Sequence, residues 1–263
     1  MADTNFLGFN NFVWFTGVVE DRMDTLYLGR VRVRCVGIHT HDKEVLPTKD
    51  LPWAQVIMPV TSPGISGIGQ SPSFLVEGSW VFGYFRDGDQ CQEPCVIGSI
   101  PGVPLEKPTG EFGFADPKGI YPLQTEISDV NMLATNTGEH WSITARNNAV
   151  ATGIATADFN ATTNARGGVI SGSDGTIWNQ PAPAYAAVYP YNHVYESERG
   201  HIFEIDDTEG AERIYQSHVT GTSYEIDKDG NIVYLNVGDK YEITSGKECH
   251  AITGNSDITI DGR

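Results

Sequence analysis

Positive charge is scarce in this 263-residue chain, which carries 17 Lys and Arg against 34 Asp and Glu for a formal net charge of −17. Nucleic-acid gloves and anionic-membrane binders are drawn to phosphate by Lys and Arg, so neither is expected. Long apolar runs are missing as well. None approaches the ~18 residues of a bilayer-spanning helix, so no integral membrane association is expected. The opening residues, MADTNFLGFNNFVWF, lack a cationic stretch ahead of an apolar one, and synthesis in the cytosol without a secretory leader is expected. Cys35, Cys91, Cys95 and Cys249 are too few and too scattered for a disulfide scaffold. Free thiols are the expectation.

What is present reads as all-β. Between Phe12 and Ile100, short β-favouring runs alternate with turns: FVWFTGVV, GRVRVRCVGI, PWAQVIMPV, SWVFGYFRDG and CVIGSI. Period-2 alternation is clearest at Arg30 to Cys35, sending Val31, Val33 and Cys35 to one face and Arg30, Arg32 and Arg34 to the other. Five short strands in ~90 residues fit a barrel of the oligonucleotide/oligosaccharide-binding (OB) type over residues 1–103. Residues 104–188 are rich in Gly, Ala, Thr and Asn, with one or two helical turns at Asp129 to Ala134. Such a stretch is expected to be an extended linker lying on a neighbouring surface.

Residues 189–263 hold 15 acidic and 6 basic side chains and more brief strands: GHIFEID, ERIYQSH, TSYEID, GNIVYLN and DKYEIT. Toward the end a repeat emerges, with Gly230, Gly238, Gly246, Gly254 and Gly262 each eight residues apart. That spacing implies a strand of about five or six residues and a tight turn, repeated. Roughly three such units are needed to close one rung of a solenoid, and about three stacked rungs to bury a core. One chain is too short for this. Three copies wound about a common axis can close it, so a C3 homotrimer with a trimeric β-prism or β-helix is expected. Candidate residues for its core are Val233, Leu235, Val237, Tyr241 and Ile243 on one parity, and Ile252, Ile258 and Ile260 on the other. The change of parity predicts an irregular rung or bulge near Cys249 to Ile252.

Several blocks carry a family resemblance: LGRVRVRCVGIHT at 28–40, LPWAQVIMPVTSPGISGIGQSP at 51–72, CQEPCVIGSIPGVP at 91–104 and YPYNHVYESERGHIFEIDDTEGAERI at 189–214. With the glycine octads behind them, the chain resembles the baseplate hub and central spike proteins of contractile-tailed phages of the T-even type, related to the spikes of type VI secretion. The resemblance implies a structural spike in the virion tail baseplate, linking a ring-shaped tail hub to a needle that pierces the cell envelope. It also implies a tip protein of the proline-alanine-alanine-arginine (PAAR) repeat type. An unfinished octad at Arg263 suggests either a capping partner or a truncated needle. Many relatives carry a lysozyme domain between barrel and needle. The intervening stretch here is short beside a usual domain of ~100–150 residues, and no lysozyme activity is expected.

Other chemistry finds weaker support. Glycoside cleavage needs two facing carboxylates, and Glu106, Glu111, Asp116, Glu126, Asp129, Glu139, Asp158 and Asp174 are available without any pairing signal. A hydrolase using linker carboxylates is therefore the alternative reading. His39 and His41 could share one side of a strand, but two imidazoles without further ligands do not make a metal site, and Cys91 with Cys95 lacks the second pair of a zinc ribbon. No metal and no cofactor are expected. The stripe of Arg30, Arg32 and Arg34 could meet single-stranded nucleic acid, a second alternative, but the acidic balance favours a barrel interface with another subunit or the hub.

Overall fold

The computed structural model describes residues 5–6, 9–10, 12–70, 75–107, 125–137, 140, 181–256 and 258. The chain divides into two units, Met1–Asp129 and Val130–Arg263.

In the first unit, β1 (Asn5–Phe6) and β2 (Phe9–Asn10) form a small antiparallel pair. The five expected strands follow as β3 (Val13–Asp21), β4 (Val31–Cys35), β5 (Trp53–Val56), β6 (Trp80–Phe85) and β7 (Pro94–Ser99). They close a barrel in the order β3-β4-β5-β7-β6, with β5 and β7 parallel and the other neighbours antiparallel. Alternation supplies the core: Phe15, Val19, Val31, Val33, Cys35, Ala54, Val81, Phe85 and Val96 are buried together. Gly83 lies opposite Phe15 across β3 and β6. A Cβ there would sit 2.1 Å from the Cys95 carbonyl oxygen and 2.6 Å from the Phe15 ring, so the close approach of β6 to its neighbours requires glycine.

Register shifts between Val19 and Asp21 where β3 meets β4. This bulge leaves Glu20 as the extra residue and turns its carboxylate beneath the 36–50 loop. There it meets Arg34, whose Nε and Nη2 donate to it at 2.7 and 3.1 Å.

In the second unit one helical turn, α1 (Met132–Thr135), is capped by Asn131, whose side chain accepts the Leu133 N–H at 2.8 Å. Five strands then form a meander, β8 (Asn192–Glu196), β9 (Ile202–Asp206), β10 (Arg213–Ser217), β11 (Ser223–Ile226) and β12 (Ile232–Leu235), each antiparallel to the next. Three of its hairpins close in one way. Ser197 N–H donates to His201 O and Gly200 N–H to Ser197 O, a pattern repeated at His218–Thr222 with Gly221 and at Asp227–Asn231 with Gly230. Each glycine has φ between 79° and 95°, the left-handed position of a three-residue hairpin loop.

One expectation is corrected here. Gly230, counted as the first octad glycine, closes the β11–β12 hairpin instead, because its left-handed φ and its Gly230-to-Asp227 hydrogen bond belong to that loop. DKYEIT, read as a strand of an interchain prism, pairs with no strand of the same chain among the described residues. The chain does bend at Gly238, at Ser245–Gly246 and at Thr253–Gly254, keeping the eight-residue step. Gly262 and Ile260 lie outside the described residues.

Of the 104–188 stretch, the described parts divide between the units. In the first, Asp129 Oδ2 accepts the Gly102 N–H at 2.8 Å. In the second, Leu133 packs with Ile202, Tyr215, Tyr185 and Val194 on one face of the sheet. Glu111, Asp116, Glu139, Asp158 and Asp174 lie outside the described residues.

Candidate functional site

The meander sheet wears its apolar residues on the outside. Cross-strand register aligns His193, Ile205, Ile214, Ile226 and Ile232 in one row, and Tyr195, Phe203, Gln216, Tyr224 and Tyr234 in the next. Within these rows Phe203 is 44% exposed, Ile214 43%, Ile232 60% and Tyr234 58%. The opposite face is covered by α1 and by residues 181–188, yet it is largely polar. Asn192, Asp206 and Arg213 form one of its rows, and Val194, Glu204, Tyr215, Glu225 and Val233 another. A four-isoleucine ladder thus lies beside an aromatic one, and among the described residues the two form a contiguous exposed apolar surface.

Hydrogen bonds hold the covering segments in place. The Tyr185 hydroxyl and the Asn192 amide both donate to the Leu133 carbonyl, at 2.8 and 2.9 Å. Glu196 accepts from Asn131 Nδ2 at 2.5 Å and lies 3.1 Å from His140 Nε2. Beneath them Arg213 bridges two strands, donating from Nη1 to Glu204 and from Nε to Glu225, the latter at 2.7 Å. Burial pushes the Glu204 carboxyl up to about 7, against the pull of the Arg213 charge and with a further push from Asp206. The same burial raises the Tyr185 phenol to about 12.

The expected prism-core residues fall in two groups. Val233 and Leu235 are half-buried, in rows of the covered face, and Val237 is half-buried beyond β12. Tyr241, Ile243, Ile252 and Ile258 are exposed in the single chain. The sequence reading missed the isoleucine and aromatic ladders, although the strands that carry them were read. Their signal was present as strict alternation in IFEID and RIYQS; what alternation leaves open is which face meets solvent.

On the barrel the three arginines do not form a common stripe. Arg30 makes a two-pronged contact with Asp24 at 2.7 and 3.0 Å, and Asp24 also accepts the N–H groups of Leu26, Leu28 and Arg30. These bonds, with Arg30 foremost, hold the Asp24 carboxyl well below its usual range. Arg32 lies over Trp53, 4.3 Å from the ring centroid, donates to the Leu51 carbonyl at 2.5 Å and faces Asp21 at 3.5 Å. Arg34 is a correction: it is fully buried, pairs with Glu20 and donates to the Thr40 and Leu46 carbonyls, so it offers nothing to an external partner. The bulge at Glu20 provides the anion that draws it inward.

Neither His39 nor the cysteines gather into a site. His39 Nδ1 accepts the Cys35 N–H at 3.0 Å. All four cysteines are free, with Cys35 and Cys95 buried in the barrel, and burial raises the Cys35 thiol to about 12. Among the described residues no group of three or more His, Cys, Asp or Glu is placed to hold a metal ion, and no helix is long and apolar enough to cross a membrane.

Comparison with known proteins agrees with this architecture. Protein Gp5 of Vibrio phage KVP40 (isolate Vibrio parahaemolyticus/Japan/Matsuzaki/1991) is 40% identical over 287 aligned residues, covering 98% of this chain. The pre-baseplate central spike protein Gp5 of Enterobacteria phage T4 is 47% identical over 129 residues, covering 47% of this chain. The chain spans 65% of the length of the first relative and the T4 match 22% of the second. The family described as the Gp5 N-terminal OB domain matches residues 37–174, and with the closed five-stranded barrel this shows that the chain belongs to that family.

Proposed function

We propose that this protein is a structural central spike of a contractile phage tail baseplate, located in the virion and assembled as a homotrimer. The observation that carries the reading is the alignment of nearly the whole chain, barrel, covering segments and sheet together, with a Gp5 protein. The open isoleucine and aromatic ladders support the trimer, because an isolated chain leaves this apolar surface in water and a second copy can remove it. The octad bends at Gly238, Gly246 and Gly254 support a three-chain prism beyond β12, where Tyr241, Ile243, Ile252 and Ile258 gain burial only from neighbouring copies.

On this reading the barrel seats the spike under a ring-shaped hub protein, and a PAAR-type protein caps the needle. The work of envelope penetration comes from the contracting sheath, so the spike needs resistance to unfolding and no bond chemistry. Interchain ladders suit that demand because many hydrogen bonds must break together. The native mass tests the proposal. Light scattering should return three times the 28.7 kDa chain mass, and a monomer at micromolar concentration overturns it.

A further inference from the structure

Among the described residues, the covered face of the meander sheet holds buried acceptors that meet no donor. Glu204, Asp206 and Glu225 are 0%, 2% and 2% exposed, and Arg213 is the cation that reaches into them. Arg213 engages Glu204 Oε1 and Glu225 Oε2. Among the described residues, three buried oxygens of this cluster have no hydrogen-bond partner: Glu204 Oε2, Asp206 Oδ2 and Asn192 Oδ1. All three belong to adjoining positions, since Asn192 lies directly opposite Asp206 and Glu204 is two residues before Asp206 on the same face. Several neighbouring donors are engaged elsewhere. The Asn192 amide donates to Leu133 O, Thr208 N–H donates to the other Asp206 oxygen, and the Tyr185 hydroxyl donates to Leu133 O.

Orphan acceptors of this kind are costly to bury unless something supplies a donor. We propose that folding of this unit takes up one proton from solvent, held on the Glu204 carboxyl and donated toward Asp206 and Asn192. A proton needs no cavity, and it turns one orphan acceptor into the donor that the other two lack. The groups facing Glu204 come from every element packed around it. Arg213 and Tyr215 come from β10, Glu225 from β11, Asp206 from its own strand, Asn192 from β8 and Tyr185 from the covering segment. Burial, with Asp206 and Glu225 adding to it against Arg213 and a hydrogen bond from Asn192, raises this carboxyl from an ordinary 4.5 to about 7. The raised value fixes the sign. The folded sheet binds the proton more tightly than the unfolded chain, so stability is greatest on the acid side and declines as pH rises from 4.5 to about 7.

Hydrogen exchange of the full chain, followed by mass spectrometry over peptides spanning 192–226 and corrected for the intrinsic rate, tests this. Between pH 5 and 8 the opening equilibrium of these strands should rise on the order of a hundredfold in the wild type. Glu204→Gln, which carries a permanent N–H donor at the same place, should flatten that dependence and exceed the wild type in protection at pH 8. If Glu204→Gln fails to fold, Asp206→Asn supplies the donor from the other side and should flatten it equally. A wild-type profile without pH dependence overturns the proposal, as does a variant that keeps the wild-type slope. Added Ca2+ or Na+ that restores protection at pH 8 would assign the site to a metal cation and overturn it too. The inference stands on the intrachain cluster, so a failed trimer measurement leaves it intact.

Discussion

Arg34 Nε lies 2.7 Å from Glu20 Oε1 with both side chains wholly excluded from solvent. The pair spans β3 and β4, and Arg34 uses its remaining donors on the Thr40 and Leu46 carbonyls, anchoring the 36–50 loop to the barrel. Thr48 and Lys43 complete the surroundings of the carboxylate at 2.6 and 3.5 Å. A buried ion pair of this kind organises a loop more than it adds stability, because desolvating two charges offsets most of their attraction.

Breaking the pair from one side should therefore be expensive. Arg34→Met leaves the Glu20 carboxylate buried without its main partner, and the barrel should lose about 3–5 kcal/mol. The double replacement Glu20→Leu with Arg34→Met should recover most of that loss. Urea unfolding followed by tryptophan fluorescence measures both. A single variant as stable as the wild type would show that the loop, not the pair, determines the stability of this region.

The same carboxyl sets an acid limit. Burial pushes Glu20 up, but hydrogen bonds from Arg34 and Thr48 and the charges of Lys43 and Arg34 outweigh it, so its value lies below the ordinary 4.5. A lowered carboxyl contributes stability that is full above 4.5 and lost as pH falls through the folded value. Barrel stability should thus drop below pH 4.5, and Glu20→Gln should shrink that drop. The Glu204 cluster runs in the opposite direction: the barrel should lose stability as pH falls below 4.5, and the sheet as pH rises from 4.5 to about 7.

How far the sequence could be read follows from what alternation encodes. Val31, Val33 and Cys35 were assigned to the barrel interior from period 2 alone, and all three are fully buried. Arg34 defeated the same rule because the bulge at Glu20 lies on the neighbouring strand, where nothing in RVRVRC announces it. In the meander, alternation again gave the strands but hid their polarity. Ile205 and Ile214 would ordinarily point inward, whereas here Glu204, Asp206 and Arg213 do, since the covering segments bring hydrogen-bonding groups and Leu133 onto that side. The glycine octad mixed two devices: Gly230 belongs with Gly200 and Gly221 in the hairpin series, and only Gly238 onward keeps a purely eight-residue step.

The open ladders give the next expectation. Ile205→Glu or Ile214→Glu places a carboxylate in the middle of the apolar face, where a single chain tolerates it because the position is about two-fifths exposed. Burial of that charge between copies would not be tolerated. Each variant should keep the β content of the wild type by circular dichroism and shift the light-scattering mass from trimer toward monomer. A trimer of unchanged stability would place the interface elsewhere.

Catalysis gives a further expectation. A spike driven by sheath contraction needs no hydrolytic site, so the purified protein should not clear cell-wall suspensions between pH 4 and 8. Clearing that disappears on replacing linker carboxylates such as Glu106 or Glu126 by Gln would instead restore the hydrolase reading.

The two glycine devices can be separated by the same substitution at two places. Gly230 has φ of 79°, so Gly230→Ala forces a left-handed alanine into the β11–β12 loop and should cost about 1–2 kcal/mol whatever the assembly state. Gly246 has open space where a Cβ would go and no left-handed φ, so Gly246→Ala should leave the single chain unaffected. Close approach between chains at a prism corner would add a penalty at Gly246 in the assembly alone. Comparing unfolding at concentrations below and above trimer formation isolates it: a Gly246→Ala loss confined to the trimer supports the octad as an interchain repeat, and a loss equal in both states removes that role from the glycine.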